Sequence, residues 1–224
     1  MKTIEINEVL IRNIIDNKDG LYKGSLAEYF VICFLSDNAF NPYHNFRHTM
    51  TVVCETYKAI LHYQNKLNKN EVKALLIAAF FHDFNHSGKN GNEGKEIENA
   101  IIAMENNLLE ADKGLSKQIK TLIKATQYPY HKMVNSLSEK IIRDADLSQA
   151  LFDVWIQQVI FGLAKEHGQR PLEMLKKQIP FLSQITFHTT WAEEHYRPLV
   201  NTKLEIVNYY LKLFKKNGGE HVVA

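Results

Sequence analysis

The chain has 224 residues, of which 45% are hydrophobic and 11% aromatic, and its formal net charge is +2. This length and composition suffice for one large domain or two small ones with a full apolar core, and they exclude an intrinsically disordered chain. The small net charge gives no reason to expect nucleic acid or a membrane surface as the main partner.

The pattern along the first half of the chain predicts helices, because apolar residues recur at helical spacing. A turn follows the first helix at residues 17–20, and Ser25 is a candidate cap for the second. A loop over residues 41–45 precedes the third helix, and Asn70 stands near the start of the fourth. The first, second and fourth predicted helices cover residues 6–14, 25–35 and 70–81, and the third carries Val53, Tyr57, Ile60 and Leu61.

The second half of the chain continues in the same way, with helices over residues 97–108 and 119–123 and a longer one from Ser138 towards residue 163. Pro171 and Pro180 stand where helices can begin, and Pro198 begins a last helix that Gly218 and the next glycine stop. We find no repeat, no low-complexity tract and no dividing linker. The sequence therefore predicts one all-α domain over residues 1–224.

The two cysteines, Cys33 and Cys54, lie in apolar surroundings, which favours buried free thiols over a disulfide. Residues 1–8 alternate polar and apolar side chains and include acidic ones, unlike a signal peptide. No uncharged stretch reaches the length of a membrane span. We expect a cytoplasmic protein.

A histidine and an aspartate, His82 and Asp83, stand at the end of the uncharged run 74–81. That run is apolar on nearly every side, so it predicts a buried helix. Burying a charged group is costly unless it is paired or bound to a metal. The pair therefore suggests a metal site at the end of a buried helix.

Further side chains of metal-ligand type lie in separate predicted helices and loops. A single histidine in a helix is more often a core or surface residue than a ligand, but several beside apolar runs need another explanation. Mixed imidazole and carboxylate ligands suit zinc, iron, manganese or magnesium. The candidates in chain order are His44, His48, His82, Asp83, His86, Asp144 and Asp146.

Four short motifs resemble one known family. His48, His82-Asp83 and a distant aspartate resemble the HD superfamily of metal-dependent phosphohydrolases. More specifically, residues 43–48 (YHNFRH) are similar to the YHNxxH signature of class I cyclic-nucleotide phosphodiesterases, and residues 81–88 (FHDFNHSG) to its FHDxxHxG. Residues 145–148 (ADLS) and 183–187 (SQITF) match two further motifs of that family in the same order.

The resemblance implies two divalent ions. The first, zinc or iron, would be held by four ligands: His48, His82, Asp83 and Asp146. Asp83 would also bridge to a second ion, magnesium or manganese, held otherwise mostly by water.

The resemblance also implies roles around the ions. His44 would be the general acid, His86 would stand behind the second ion, and Glu98 would steady water and the acid histidine. Gln184 would hydrogen-bond the purine edge and Phe187 would stack on the ring. Because these two residues are three apart, we expect them on one face of a helix.

The chain departs from the family pattern at several places. Ala100 and Ile101 stand where the family has histidines, Gln127 where it has aspartate, and Gln149 where it has asparagine. The loop between Gly88 and the following helix is short for the family. These departures concern the second ion and the substrate rather than the first ion.

The prediction is metal-dependent hydrolysis of a 3',5'-cyclic nucleotide, which is a small-molecule substrate. The sequence does not choose between adenine and guanine, because the amide of one glutamine can hydrogen-bond to either base by flipping. Two cations beside a phosphate neutralise its oxygens and activate a water, while a positioned acid protonates the leaving oxygen. One alternative is an HD hydrolase acting on another nucleotide or a phosphomonoester. Another is a non-catalytic ligand-binding or scaffold domain with a structural metal. The sequence does not indicate an oligomeric state.

Overall fold

The computed structural model describes residues 25–89, 91, 93–130 and 133–216, and within these ranges its regular structure is entirely helical. The all-α prediction is confirmed. The predicted helix over residues 6–14 and the glycine stop at 218 lie outside the described residues. The α-helices are α1 (Ser25–Phe34), α2 (Phe46–His62), α3 (Lys69–Phe81), α4 (Glu93–Asn107), α5 (Ser116–Ala125), α6 (Leu137–Leu147), α7 (Pro171–Gln184) and α8 (Thr190–Lys216).

Capping boxes decide where two of these helices begin. The Asn68 side chain accepts a hydrogen bond from the backbone N–H of Glu71, and the Glu71 carboxylate accepts one from the backbone N–H of Asn68. Ser136 and Glu139 form the same arrangement at the start of α6. Both helices therefore begin slightly earlier than the sequence analysis predicts.

The helix predicted from Ser138 towards residue 163 is wrong as a single element. It ends at Leu147, continues as a 3-10 turn (Ser148–Leu151) and resumes as a π-helix (Ile156–Leu163) with a final α-turn (Ala164–Glu166). The two parts are bent by 93°. Both parts carry apolar residues at helical spacing, so the periodicity does not reveal the bend.

Two prolines also differ from the prediction. Pro171 begins α7 as expected, but Pro180 lies inside α7 and Pro198 lies inside α8. Each removes a backbone donor from its helix. Because α7 packs along α8, tertiary contacts carry both helices through these positions.

The buried apolar side chains form one continuous cluster with α3 at its centre. Residues 74–81 of α3 are all buried, and the helix packs against α1, α2, α5 and α6. The predicted buried helix is thus confirmed, and a single domain remains the prediction consistent with this core. In the described part of the chain no helix alone is long and apolar enough to cross a membrane; the bent pair Leu137–Leu151 and Ile156–Glu166 meets that test only when taken together.

Candidate metal centre and active site

Three helices bring the four predicted metal ligands together. α2 carries His48, the end of α3 delivers His82 and Asp83, and the last turn of α6 carries Asp146. One ligand atom from each lies within 4.8 Å of all the others. The histidine side chains are buried, whereas those of Asp83 and Asp146 are 16% and 18% exposed, so the cluster opens to solvent on its carboxylate side.

The spacing of these atoms suits a small divalent ion. His48 Nε2 lies 3.1 Å from Asp83 Oδ2 and 3.2 Å from Asp146 Oδ1. His82 Nε2 lies 3.1 Å from Asp83 Oδ2 and 3.6 Å from Asp146 Oδ1. Four ligands about 2.0–2.2 Å from a tetrahedral zinc stand about 3.4 Å apart, so the donor set fits.

The second nitrogen of each histidine fixes its tautomer. His48 Nδ1 lies 2.5 Å from Gln149 Oε1, and His82 Nδ1 lies 2.9 Å from the carbonyl oxygen of Ala79. Because these oxygens can only accept, both Nδ1 atoms carry the hydrogen and both neutral rings present a lone pair at Nε2. The two Nε2 atoms are 3.1 Å apart, so a cation bound by one of them also lies within reach of the other.

The charges at the cluster also indicate that it binds a cation. Burial lowers the pKa of His48, but hydrogen bonds to Asp146 and Asp83 outweigh burial and raise the pKa to about 9. Burial raises the pKa of Asp83, and the positive charge of His82 outweighs it and holds the pKa well below its usual range. The cluster therefore binds positive charge, which a divalent ion supplies more effectively than protons.

Asp144, two residues before Asp146, faces another part of the structure. Its Oδ1 accepts from the backbone N–H of His188, and its Oδ2 accepts from the backbone N–H and hydroxyl of Thr189, at 2.8–2.9 Å. These bonds hold the turn before α8 onto α6. Asp146 rather than Asp144 lies with the histidines, as the motif match implied.

This division gives a matched pair of variants. Asp144→Asn should leave metal content unchanged and lower the free energy of unfolding by about 1–3 kcal/mol, because one buried donor at Thr189 or His188 then faces an amide N–H. Asp146→Asn should instead lower metal content. Elemental analysis and thermal unfolding of both proteins check this. A folded Asp144→Asn protein without metal would contradict the assignment.

His44 is held by Glu166, a residue the sequence analysis missed. His44 Nδ1 lies 2.5 Å from Glu166 Oε2, while Glu166 Oε1 accepts from the backbone N–H groups of Tyr43 and His44 at 2.6 and 2.9 Å. One carboxylate thus fixes both the loop and the ring. Glu166 lies 122 residues from His44 and outside every motif, so no local pattern could have identified it.

His44 is not in the same helix as His48. α2 begins at Phe46 with Asn45 as its N-cap, and Asn45 Oδ1 accepts from the backbone N–H of His48. The two imidazole rings are nevertheless close, with centroids 5.9 Å apart. The loop and Glu166, rather than a helical turn, hold the His44 ring in this position.

His86 stacks on His44, with ring centroids 3.7 Å apart and planes inclined by 21°. Its Nδ1 accepts from the backbone N–H of Gly88, a contact that needs the left-handed backbone at Asn85 (φ 60°) and Gly88 (φ 67°). Burial, followed by the charge of His44, lowers the pKa of His86. His86 therefore stays neutral beside His44.

His44, His86 and Glu166 also have ligand atoms within 4.8 Å of one another. Imidazole lone pairs lie in the ring planes, and the two stacked rings direct them along nearly parallel planes rather than to one point. Glu166 is already bonded to His44 Nδ1. This arrangement suits proton transfer better than metal binding.

The structure does not bring Glu98 to the cluster. Glu98 is exposed on α4, whereas Glu96 accepts from the Ser87 hydroxyl at 2.6 Å. Burial raises the pKa of Glu93, and the charge of Asp83 raises it further against the opposing charge of His44. Residues two apart on a helix differ by about 200°, so Glu98 cannot share the face of Glu96.

Gln184 lines a cavity of about 480 Å³, but Phe187 does not. α7 ends at Gln184 and the backbone becomes extended at Ile185, so the two predicted base-binding residues do not share a helix face. The Phe187 ring is buried against Tyr196, with centroids 5.4 Å apart. The cavity is instead lined by Phe181, three residues earlier on α7, and by Tyr128 and Tyr130.

The profile of one protein family, described as 3'5'-cyclic nucleotide phosphodiesterase, matches residues 43–189 of the chain. The matched segment is well over half of the sequence. It contains the four-residue cluster, the His44–Glu166 pair and the cavity around Gln184. Among curated proteins, none matches the chain.

Proposed function

The chain belongs to the class I 3',5'-cyclic-nucleotide phosphodiesterase family of hydrolases, and on that basis we propose that it converts a 3',5'-cyclic nucleotide to the 5'-nucleotide. The observation that carries the proposal is a metal-ligand cluster beside a histidine that is not one of its ligands. A structural metal site needs no such histidine. The arrangement supplies both a cation site and a proton donor.

Enzymes of this family are metal-dependent, and the donor set fits a divalent ion. We propose that His48, His82, Asp83 and Asp146 hold a first ion, zinc or iron, and that Asp83 also contacts a second, magnesium or manganese. When bound, such ions neutralise phosphate oxygens and lower the pKa of an attacking water.

His44 is the proposed proton donor to the leaving ribose oxygen. Glu166 accepts at Nδ1, which leaves Nε2 as the ring nitrogen that can deliver a proton. The stacked, neutral His86 keeps the ring in place from one face. His44 is thereby held in one orientation before substrate arrives, which is what an acid needs in order to act at a single oxygen.

The cavity at Gln184 is the proposed base site. It is lined from α6 by Arg143 and Leu147, three residues before and one residue after Asp146, so one helix supplies side chains to both the cavity and the metal-ligand cluster. The amide of Gln184 can donate to and accept from the edge of adenine or guanine. We propose a small nucleotide as substrate and a cytoplasmic location, with Cys33 and Cys54 as buried free thiols.

The test is turnover of cyclic AMP, cyclic GMP and p-nitrophenyl phosphate by the protein with added zinc, magnesium or manganese, each with and without a chelator. We expect metal-dependent hydrolysis of at least one cyclic nucleotide. Turnover of the phosphomonoester alone would favour a different phosphohydrolase. Retained metal without any turnover would favour a ligand-binding or scaffold domain.

Two phenylalanine variants test the base site. Phe181→Ala should raise KM several-fold, since an aromatic contact is worth about 0.5–1.5 kcal/mol beyond its area burial. Phe187→Ala should leave KM nearly unchanged and lower the free energy of unfolding by about 3–5 kcal/mol, because Phe187 is a core side chain. Steady-state kinetics and thermal unfolding check both. A large KM effect at Phe187 alone would restore the motif-based assignment.

A further inference from the structure

The π-helix Ile156–Leu163 contains no residue that the proposed function uses. A π-helix is a rare element that is frequently found at functional sites. This one packs against the loop over residues 41–45, which carries the proposed proton donor His44. Its contacts to the loop therefore bear on where the proton donor stands.

Gly162 brings the π-helix against the backbone of the loop. A Cβ at this position would lie 2.9 Å from the carbonyl carbon of Pro42 and still closer to its oxygen. Carbon atoms in contact are normally about 3.5–4.0 Å apart, so a side chain at position 162 would push the loop away by about 1 Å. The atoms in the way are backbone atoms, which cannot rotate aside as the end of a flexible side chain can. The observed approach therefore requires glycine.

The same segment holds the loop at two further points. Gln158, four residues before Gly162, accepts at Oε1 from the side-chain amide of Asn45 at 3.3 Å. Glu166, four residues after Gly162, accepts from the backbone N–H of His44 at 2.9 Å. Because these contacts are four residues apart, one side of the segment faces the loop along its length.

The π-helix is also connected to the metal-ligand cluster. Gln158 Oε1 accepts from Gln149 Nε2 at 3.1 Å, and Gln149 Oε1 is the acceptor at His48 Nδ1. One oxygen of Gln158 thus serves both the loop and the hydrogen bonds that lead to a proposed metal ligand. The place of the π-helix therefore sets where the loop stands relative to the cluster.

We propose that the π-helix positions the loop for proton transfer, and that Gly162 is the positioning residue because it has no side chain. This inference rests on the proposed function and adds to it a residue that touches neither substrate nor metal. Pro42 is two residues from His44, and a misplacement of about 1 Å at a catalytic group can cost about 10²-fold in rate. The four proposed metal ligands lie outside the loop, so a side chain at position 162 should impair protonation and spare metal binding.

The test compares Gly162→Ala with Gly114→Ala, a matched control in which the new Cβ has nothing within 4 Å. In Gly162→Ala, kcat on cyclic AMP or cyclic GMP should fall by about 10²-fold, while hydrolysis of bis-p-nitrophenyl phosphate falls far less and metal content stays normal. Gly114→Ala should match the original protein in all three measurements. An unchanged kcat in folded Gly162→Ala, an equal fall in both activities or a loss of metal overturns the proposal.

A double variant separates positioning from a general structural effect. If Gly162 acts through His44, then Gly162→Ala causes no further loss of kcat in a protein that already carries His44→Ala. Losses that multiply in the double variant overturn the proposal.

Asn45→Ser decides the matter if Gly162→Ala does not fold. Serine caps a helix about as well as asparagine, so α2 keeps its start, but serine lacks the amide that reaches Gln158. This variant should lose kcat on the cyclic nucleotide several-fold with normal metal content. An unchanged kcat overturns the proposal.

Hydrogen exchange, measured residue by residue by NMR, keeps this proposal distinguishable from the proposed function. The backbone N–H groups of Tyr43 and His44 donate to Glu166 and are protected while the loop stays in place. If the original protein hydrolyses no cyclic nucleotide, the proposed function fails and Gly162 is judged on this exchange alone. Faster exchange of both groups in Gly162→Ala than in Gly114→Ala then still supports the positioning of the loop, and equal exchange overturns it.

Discussion

Replacing His82 with alanine should remove the bound metal and reduce hydrolysis of every phosphate ester to the background rate. His82 Nε2 contributes one of the four converging ligand atoms, and its loss leaves only three ligands, His48, Asp83 and Asp146, around the site. Water attack on phosphate then loses the charge that neutralises the phosphate oxygens. Elemental analysis of the purified protein, followed by activity assays with added metal, measures both effects.

Two comparisons make this prediction specific. Gln149→Ala removes the acceptor at His48 Nδ1 and a donor to Gln158 Oε1 but none of the ligands, so it should weaken metal affinity by about 10- to 100-fold rather than abolish it. His195→Ala changes an exposed histidine of α8 outside the cluster and should retain metal. Equal metal content in the original protein and in His82→Ala would overturn the assignment of the ligands.

Replacing His44 with alanine should cut kcat on a cyclic nucleotide by about 10²- to 10⁴-fold while metal content stays normal. A ribose alkoxide leaves poorly without a proton, whereas p-nitrophenolate leaves readily. Hydrolysis of bis-p-nitrophenyl phosphate should therefore suffer far less. Parallel assays of the two substrates, with metal analysis of the same samples, measure the effect.

His48→Ala supplies the contrast, because it removes a ligand and should damage both activities together. Glu166→Gln keeps the size of the side chain but no longer presents a carboxylate to His44 Nδ1, so it should reproduce the His44 pattern to a smaller degree. If His44→Ala loses metal, or loses both activities equally, His44 is a ligand or a structural residue.

The four proposed metal ligands could be predicted because each lies in a short contiguous motif. His82 and Asp83 follow a run whose apolar character requires burial, and a buried histidine–aspartate pair needs a cation. His48 and Asp146 came from the family resemblance, since nothing in the local pattern distinguishes Asp146 from Asp144. The hydrogen bonds of Asp144 to Thr189 show why only one of them is available.

The motifs predicted the wrong surroundings for residues whose side-chain direction depends on where a helix begins or ends. The spacing of Phe187 from Gln184 predicted that its ring stacks on the base. However, α7 ends at Gln184 and the Phe187 ring packs in the core. Glu98 fitted its motif by sequence alone, yet the orientation of α4 leaves it exposed. A change of one residue in a helix end redirects every side chain beyond it.

The sequence by itself determined the helical fold, the buried α3 and the four proposed metal ligands, because helical periodicity and compact motifs depend on neighbouring residues. Only the tertiary structure decided which distant residues hold the histidines of the site: Gln149 at His48 and Glu166 at His44. The reason is physical. Contacts between residues far apart in the chain depend on the bend after α6 and on how the helices pack, and local spacing carries no information about either.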